Sequence, residues 1–127
     1  MGVFYASLQE KQREVQKMIN KTFKRNGSAY KVLAYNEKEQ LMLMECISGD
    51  FAGDISCLTG AHYDGEALRA SGNITYFISK AQFFARAGEC KSKDIGEIAS
   101  YIRQKYFRIP TVICLMIAEA YLAETHS

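Results

Sequence analysis

Cys57, His62 and Asp64 place a thiol, an imidazole and a carboxylate within eight residues of one another. These are the residue types of a thiol nucleophile, its base and an orienting acid. Working triads are assembled in space, and closeness along the chain does not align them. The other signatures of catalysis are missing: there is no G-x-x-x-x-G-K-[ST], no G-x-G-x-x-G and no H-E-x-x-H. A non-enzymatic protein is the expectation, and a cysteine-dependent hydrolase built on Cys57, His62 and Asp64 is the third reading.

Metal chemistry finds little footing. Cys46, Cys57, Cys90 and Cys114 contain no C-x-x-C pair, and only His62 and His126 could join them. Structural zinc sites use closely spaced ligand pairs. Asp50 and Asp54 flank Phe51-Ala52-Gly53, but a calcium loop needs ligands at alternate positions closed by a Glu. No metal and no cofactor are expected, and the four thiols read as reduced, mostly buried small hydrophobes.

Binding surfaces are better represented. Residues 1–31 carry a net +5, residues 32–66 a net −6 and residues 67–127 a net +3, within a whole-chain charge of +2. Arg13, Lys17, Lys21 and Lys24 form a row on one side of an expected first helix, the kind of one-sided row that phosphate contacts use. Glu10 and Glu14 lie among them at i,i+3 pairing distance, which also suits a solvated face. Asp50, Phe51 and Asp54 form an acidic, partly apolar segment. Phe83-Phe84 and Tyr106-Phe107 are aromatic pairs, each expected to give one ring to the core, leaving Phe84 and Phe107 as interface anchors.

These residues need elements to hold them. Ser7 followed by Leu8, Val15, Met18, Ile19, Thr22 and Phe23 predicts a capped helix that ends at Asn26-Gly27. Ala29–Tyr35 and Leu41–Ile47 predict a hairpin around Asn36–Glu39. The second of these strands is apolar on both faces apart from Glu45, which predicts cover on both sides. Asp54–Leu58 and Asn73–Ser79 predict two further strands. Asp64 is expected to cap a short helical turn through Ala70, and residues 80–88 fit helix and strand alike. Ser92 or Asp94 caps a helix carrying Ile95, Ile98, Ala99, Ile102 and Tyr106, and Pro110 opens a last helix, Thr111–Glu124. That helix is apolar around most of its circumference. Ile113, Met116, Ile117 and Ala120 are therefore expected in the core or in a dimer interface. A helix-turn-helix over the last third is disfavoured, because the second helix offers no basic face to DNA.

The order implies one α+β domain over residues 1–127: an N-terminal helix, an antiparallel sheet of three or four strands, and two C-terminal helices. Met1–Ser7 has no basic start followed by an apolar run, and the longest apolar run, Ile109–Ala118, is about half a membrane span. Ala6 stands where myristoylation needs Ser or Thr. Asn20, Asn26 and Asn73 head glycosylation-like triplets that arise readily by chance. The expectation is a cytoplasmic protein without a membrane partner. Missing catalytic motifs, opposed charge segments and an apolar last helix together suggest a small protein-binding accessory module, an adaptor, inhibitor or regulator, with a homodimer among its assemblies. The alternative is a nucleic-acid-binding accessory protein using the basic first helix.

Overall fold

The computed structural model describes residue 13 and residues 15–125, leaving aside the side chains of Tyr76 and Phe77. The Ser7 cap, Leu8, Glu10, Glu14 and His126 lie outside the described residues. Among the described residues there are seven strands: β1 (Thr22–Arg25), β2 (Ser28–Asn36), β3 (Leu41–Cys46), β4 (Asp54–Thr59), β5 (Ala61–Tyr63), β6 (Leu68–Ala70) and β7 (Ile74–Ser79). Three helices follow: α1 (Lys80–Glu89), α2 (Ile95–Lys105) and α3 (Thr111–Thr125). The α+β class holds, but the expected sheet of three or four strands is a five-stranded sheet with a separate two-stranded hairpin, and there is one more C-terminal helix than the two expected.

Asn26-Gly27 does not end a helix. Residues 15–18 are helical, but the helix stops before Asn20, whose φ is 72°. The chain then turns into β1, which pairs with β2 from Thr22↔Lys31 to Arg25↔Ser28. Asn26 and Gly27 both have positive φ, the mark of a type I′ hairpin turn, whose twist matches that of the flanking strands. The pair closes a hairpin instead of a helix.

Asp64 does not cap a helical turn. Its Oδ1 accepts hydrogen bonds from the backbone N–H groups of Glu66 and Ala67. The side chain caps backbone donors as expected, but in the turn of the β5–β6 hairpin and not in a helix. Residues 80–88 are helical. Ser79 Oγ accepts from the Gln82 N–H, so α1 begins with a side-chain cap.

Strands β1-β2-β3-β4-β7 form one antiparallel sheet, and β5–β6 make a separate hairpin. Side chains alternate across β3. Leu43 joins Leu33, Ala34, Ile55 and Cys57 on the face that the three helices cover. Met42, Met44 and Cys46 join Tyr30, Val32 and Leu58 on the other face, against Phe23, Leu68 and Ala70. The strand is covered on both sides, as its composition implies. A bulge between Val32 and Ala34 turns both Leu33 and Ala34 to the helix face.

Asp94 caps α2 by accepting from Glu97 N–H. In α3, Ile113, Met116, Ile117 and Ala120 are all buried, and Thr111, Leu115 and Glu119 form its exposed edge. The apolar circumference of α3 is thus satisfied within one chain, by α1, α2 and the sheet. No helix among the described residues is long and apolar enough to cross a membrane.

Candidate functional site

Cys57 lies on the helix face of β4, fully buried. Burial pushes its thiol up to about 11, which disfavours the nucleophilic thiolate. His62 sits on β5, exposed, with Nδ1 at 3.3 Å from the Gly60 carbonyl. Asp64 is bound to Arg69, and this bond, with those from the Ala67 and Glu66 N–H groups, holds its carboxyl well below the usual range. The structure does not bring the three residues together: the sheet separates Cys57 from His62, and Asp64 is engaged in its own turn. Cys46, Cys57, Cys90 and Cys114 are free thiols. Among the described residues no three His, Cys, Asp or Glu side chains cluster as metal ligands would.

The basic row is redistributed. Arg13 and Lys17 belong to the helical segment, Lys21 follows its end, and Lys24 is on β1. All four are exposed, but they do not share one helix face, because the helix ends too early. Lys21 and Lys24 instead border a groove of about 640 Å³ between β1 and the β5–β6 hairpin. Val32, Met42 and Leu58 lie at its base, with Met18, Phe23 and Leu68 around them. Arg25, on the same face of β1 as Phe23, reaches across. It donates to the carbonyls of Ala70 and Gly72 at 3.4 and 3.3 Å. Its Nε is buried without an acceptor.

The aromatic pairs divide as their sequence suggests. Phe83 is buried and stacks on Tyr106 at 4.0 Å between centroids. Phe84 is half-buried, edge-on to Tyr121. Phe107 is 68% exposed. It stands at a second concavity, of about 480 Å³, which Ile78 and Ser79 of β7, Gln82 of α1, and Lys105 and Arg108 also line. Phe51 is 61% exposed, in the short 3-10 turn between β3 and β4, beside exposed Asp50. Asp54 pairs with Ser79, and Lys80 N–H donates to Gly53 O. The β3–β4 turn and the Phe107 concavity therefore lie at the same end of the sheet. Asp50, Phe51, Asp54 and Phe107 gather there, whereas Phe84 faces the core edge.

Arg25 and Lys80 carry no motif that marks them in the sequence. Arg25 looks like one more helix cation until Asn26-Gly27 is read as a hairpin turn. Lys80 is also a hub: it bonds Glu45 at 3.0 Å and Glu124 at 2.9 Å, joining the sheet to the end of α3. The lone Glu45 in an apolar strand was the visible signal for such a partner.

No protein-family model, no curated protein and no solved structure shows significant similarity to this chain.

Proposed function

We propose that this protein is a non-enzymatic binding module that acts by contact with another protein, at the end of the molecule where Phe107 stands. The observation that carries the reading is Phe107 itself, a large ring 68% exposed beside a concavity with Lys105 and Arg108 at its edge. Interfaces draw their binding energy from a few aromatic and arginine anchors seated in pockets. Exposed Phe51 and Asp50, at the same end, supply a rim of mixed character. The reading sets the protein in the cytosol, where free thiols persist.

The test is affinity capture from the source organism with the wild type, Phe107→Ala and Lys38→Ala, the last a change in the turn at the opposite end. A protein held by the wild type and by Lys38→Ala but lost with Phe107→Ala supports the reading. Equal capture by all three contradicts it. The alternative, nucleic-acid binding through Arg13, Lys17, Lys21 and Lys24, rests on the exposure of all four. Four phosphate contacts would give a log–log salt slope of about −3.6 on duplex DNA. Salt-resistant binding lost on changing the four to Glu would favour this alternative instead.

A further inference from the structure

We propose that the groove between β1 and the β5–β6 hairpin is a binding site for a long-chain monocarboxylate of the fatty-acid class. This site is separate from the Phe107 surface. The groove's volume, about 640 Å³, is within the range of small-molecule sites. Its charge is one-sided. Among the described residues no Asp or Glu lines it, whereas Lys21, Lys24 and Arg25 do, within five residues. Arg69 also lines it but is already paired with Asp64. Among the described residues, the cations without an acidic partner therefore stand along the β1 wall. Arg25 is the innermost, with carbonyl partners only and a buried Nε lacking an acceptor. Each terminal nitrogen of Arg25 carries a second N–H beyond the one given to a carbonyl, and a guanidinium is less strongly hydrated than an ammonium, so it suits a carboxylate better than a lysine in water does. Lys24 stands on the opposite face of β1 from Arg25 and acts through its field, which salt screens over about 8 Å.

The body of the ligand follows from the backbone. The base of the groove is the face of β2, β3 and β4, whose N–H and C=O groups are engaged in the sheet ladder. A peptide laid over that face would leave its own backbone groups without partners, at a cost of several hydrogen bonds. An alkyl chain has no such groups. Val32, Met42 and Leu58 are already nearly shielded, so the chain would pack chiefly on half-buried Met18, Phe23 and Leu68. Two methionines among these residues suit a flexible guest, since the unbranched thioether adapts to irregular gaps.

The experiment is a fluorescence titration with cis-parinarate below its micellar range, followed by displacement with dodecanoate, dodecanol and dodecylamine. Saturable binding is expected, with dodecanoate displacing the dye about tenfold better than dodecanol and better still than dodecylamine. The double variant Lys21→Glu/Lys24→Glu changes two exposed residues and should weaken binding about tenfold with an unchanged melting temperature. Ala67→Trp should fill the groove and abolish binding. If that variant fails to fold, the double variant alone decides. No saturable binding, equal displacement by dodecylamine, or an unaltered affinity in the double variant overturns the proposal. So does displacement at lower concentration by an acidic peptide or a single-stranded oligonucleotide. Loss of this binding leaves capture at Phe107 untouched, so the two readings fail separately.

Discussion

Lys80 is a largely buried charge held between two carboxylates. Burial alone would lower its pKa, but Glu124 and Glu45 together outweigh that and hold it above the ordinary lysine value. Lys31, 3.6 Å from Glu45, extends the group. Replacing Lys80 by Met leaves Glu45, with a side chain 16% exposed, facing only the longer contact. We expect a loss of about 2 kcal/mol, below the roughly 3–5 kcal/mol of a fully buried pair. A folded pKa above the unfolded one means that the contribution is complete below the unfolded lysine range and fades as pH rises through the folded value. Thermal melts of wild type and Lys80→Met between neutral and strongly alkaline pH should therefore converge at the alkaline end. A gap that stays constant would show that packing, not charge, holds the site. The cysteines give a second residue-scale prediction. Burial pushes Cys57 and Cys114 up to about 11, and Cys46 is buried as well, so half-buried Cys90 should be the one thiol that reacts quickly in native protein. Four should titrate after denaturation. Fast reaction of Cys57 would contradict its placement under the helices. The Cys57–His62–Asp64 group looked chemical because all three types sit close in sequence. What the spacing alone left open was the face of the sheet on which each side chain would fall.

Among the elements, turns account for most of what the sequence reading missed. The apolar period of α2, the all-round apolar run of α3, the cap at Asp94, the helix start at Pro110 and four of the strands were legible, because burial acts directly on residue type. Asn26-Gly27 fits both a helix end and a hairpin, because left-handed φ serves both. What decides is whether the chain pairs back on β2 across the turn, which the two turn residues alone do not fix. The β5–β6 hairpin has strands of three residues each, too short to show a period. Two substitutions probe these turns. Gly27 has φ +83° and open space where a Cβ would go, so Gly27→Ala should cost about 1 kcal/mol, from backbone strain alone. At Gly72 a Cβ would lie 2.6 Å from the Thr59 carbonyl oxygen, with no room to yield. Gly72→Ala should cost more than Gly27→Ala and should loosen the hairpin selectively, read as faster amide exchange in β5 and β6. The opposite ranking of the two variants would argue against this β4–β5–β6 geometry.

At the scale of the whole molecule, the fold separates its surfaces. The sheet carries helices on one face and the short hairpin on the other, and the two concavities fall on different sides. The groove is next to β1, at one edge of the sheet, and the Phe107 concavity is next to β7, at the other. The sequence had marked Phe107 and the Asp50–Asp54 segment as partner-facing. It could not show that they share one end, because that depends on the pairing of Asp54 with Ser79 across β4 and β7. The measurement that bears most directly on the protein-binding reading is site-specific photocrosslinking in the source organism. A photoreactive phenylalanine analogue replaces Phe107 in one variant and Lys38, at the far end of the sheet, in another. A discrete crosslinked protein from position 107, with none from position 38, is the result the account predicts. The same crosslinks from both positions, or none from position 107 in a variant that folds normally, would contradict it.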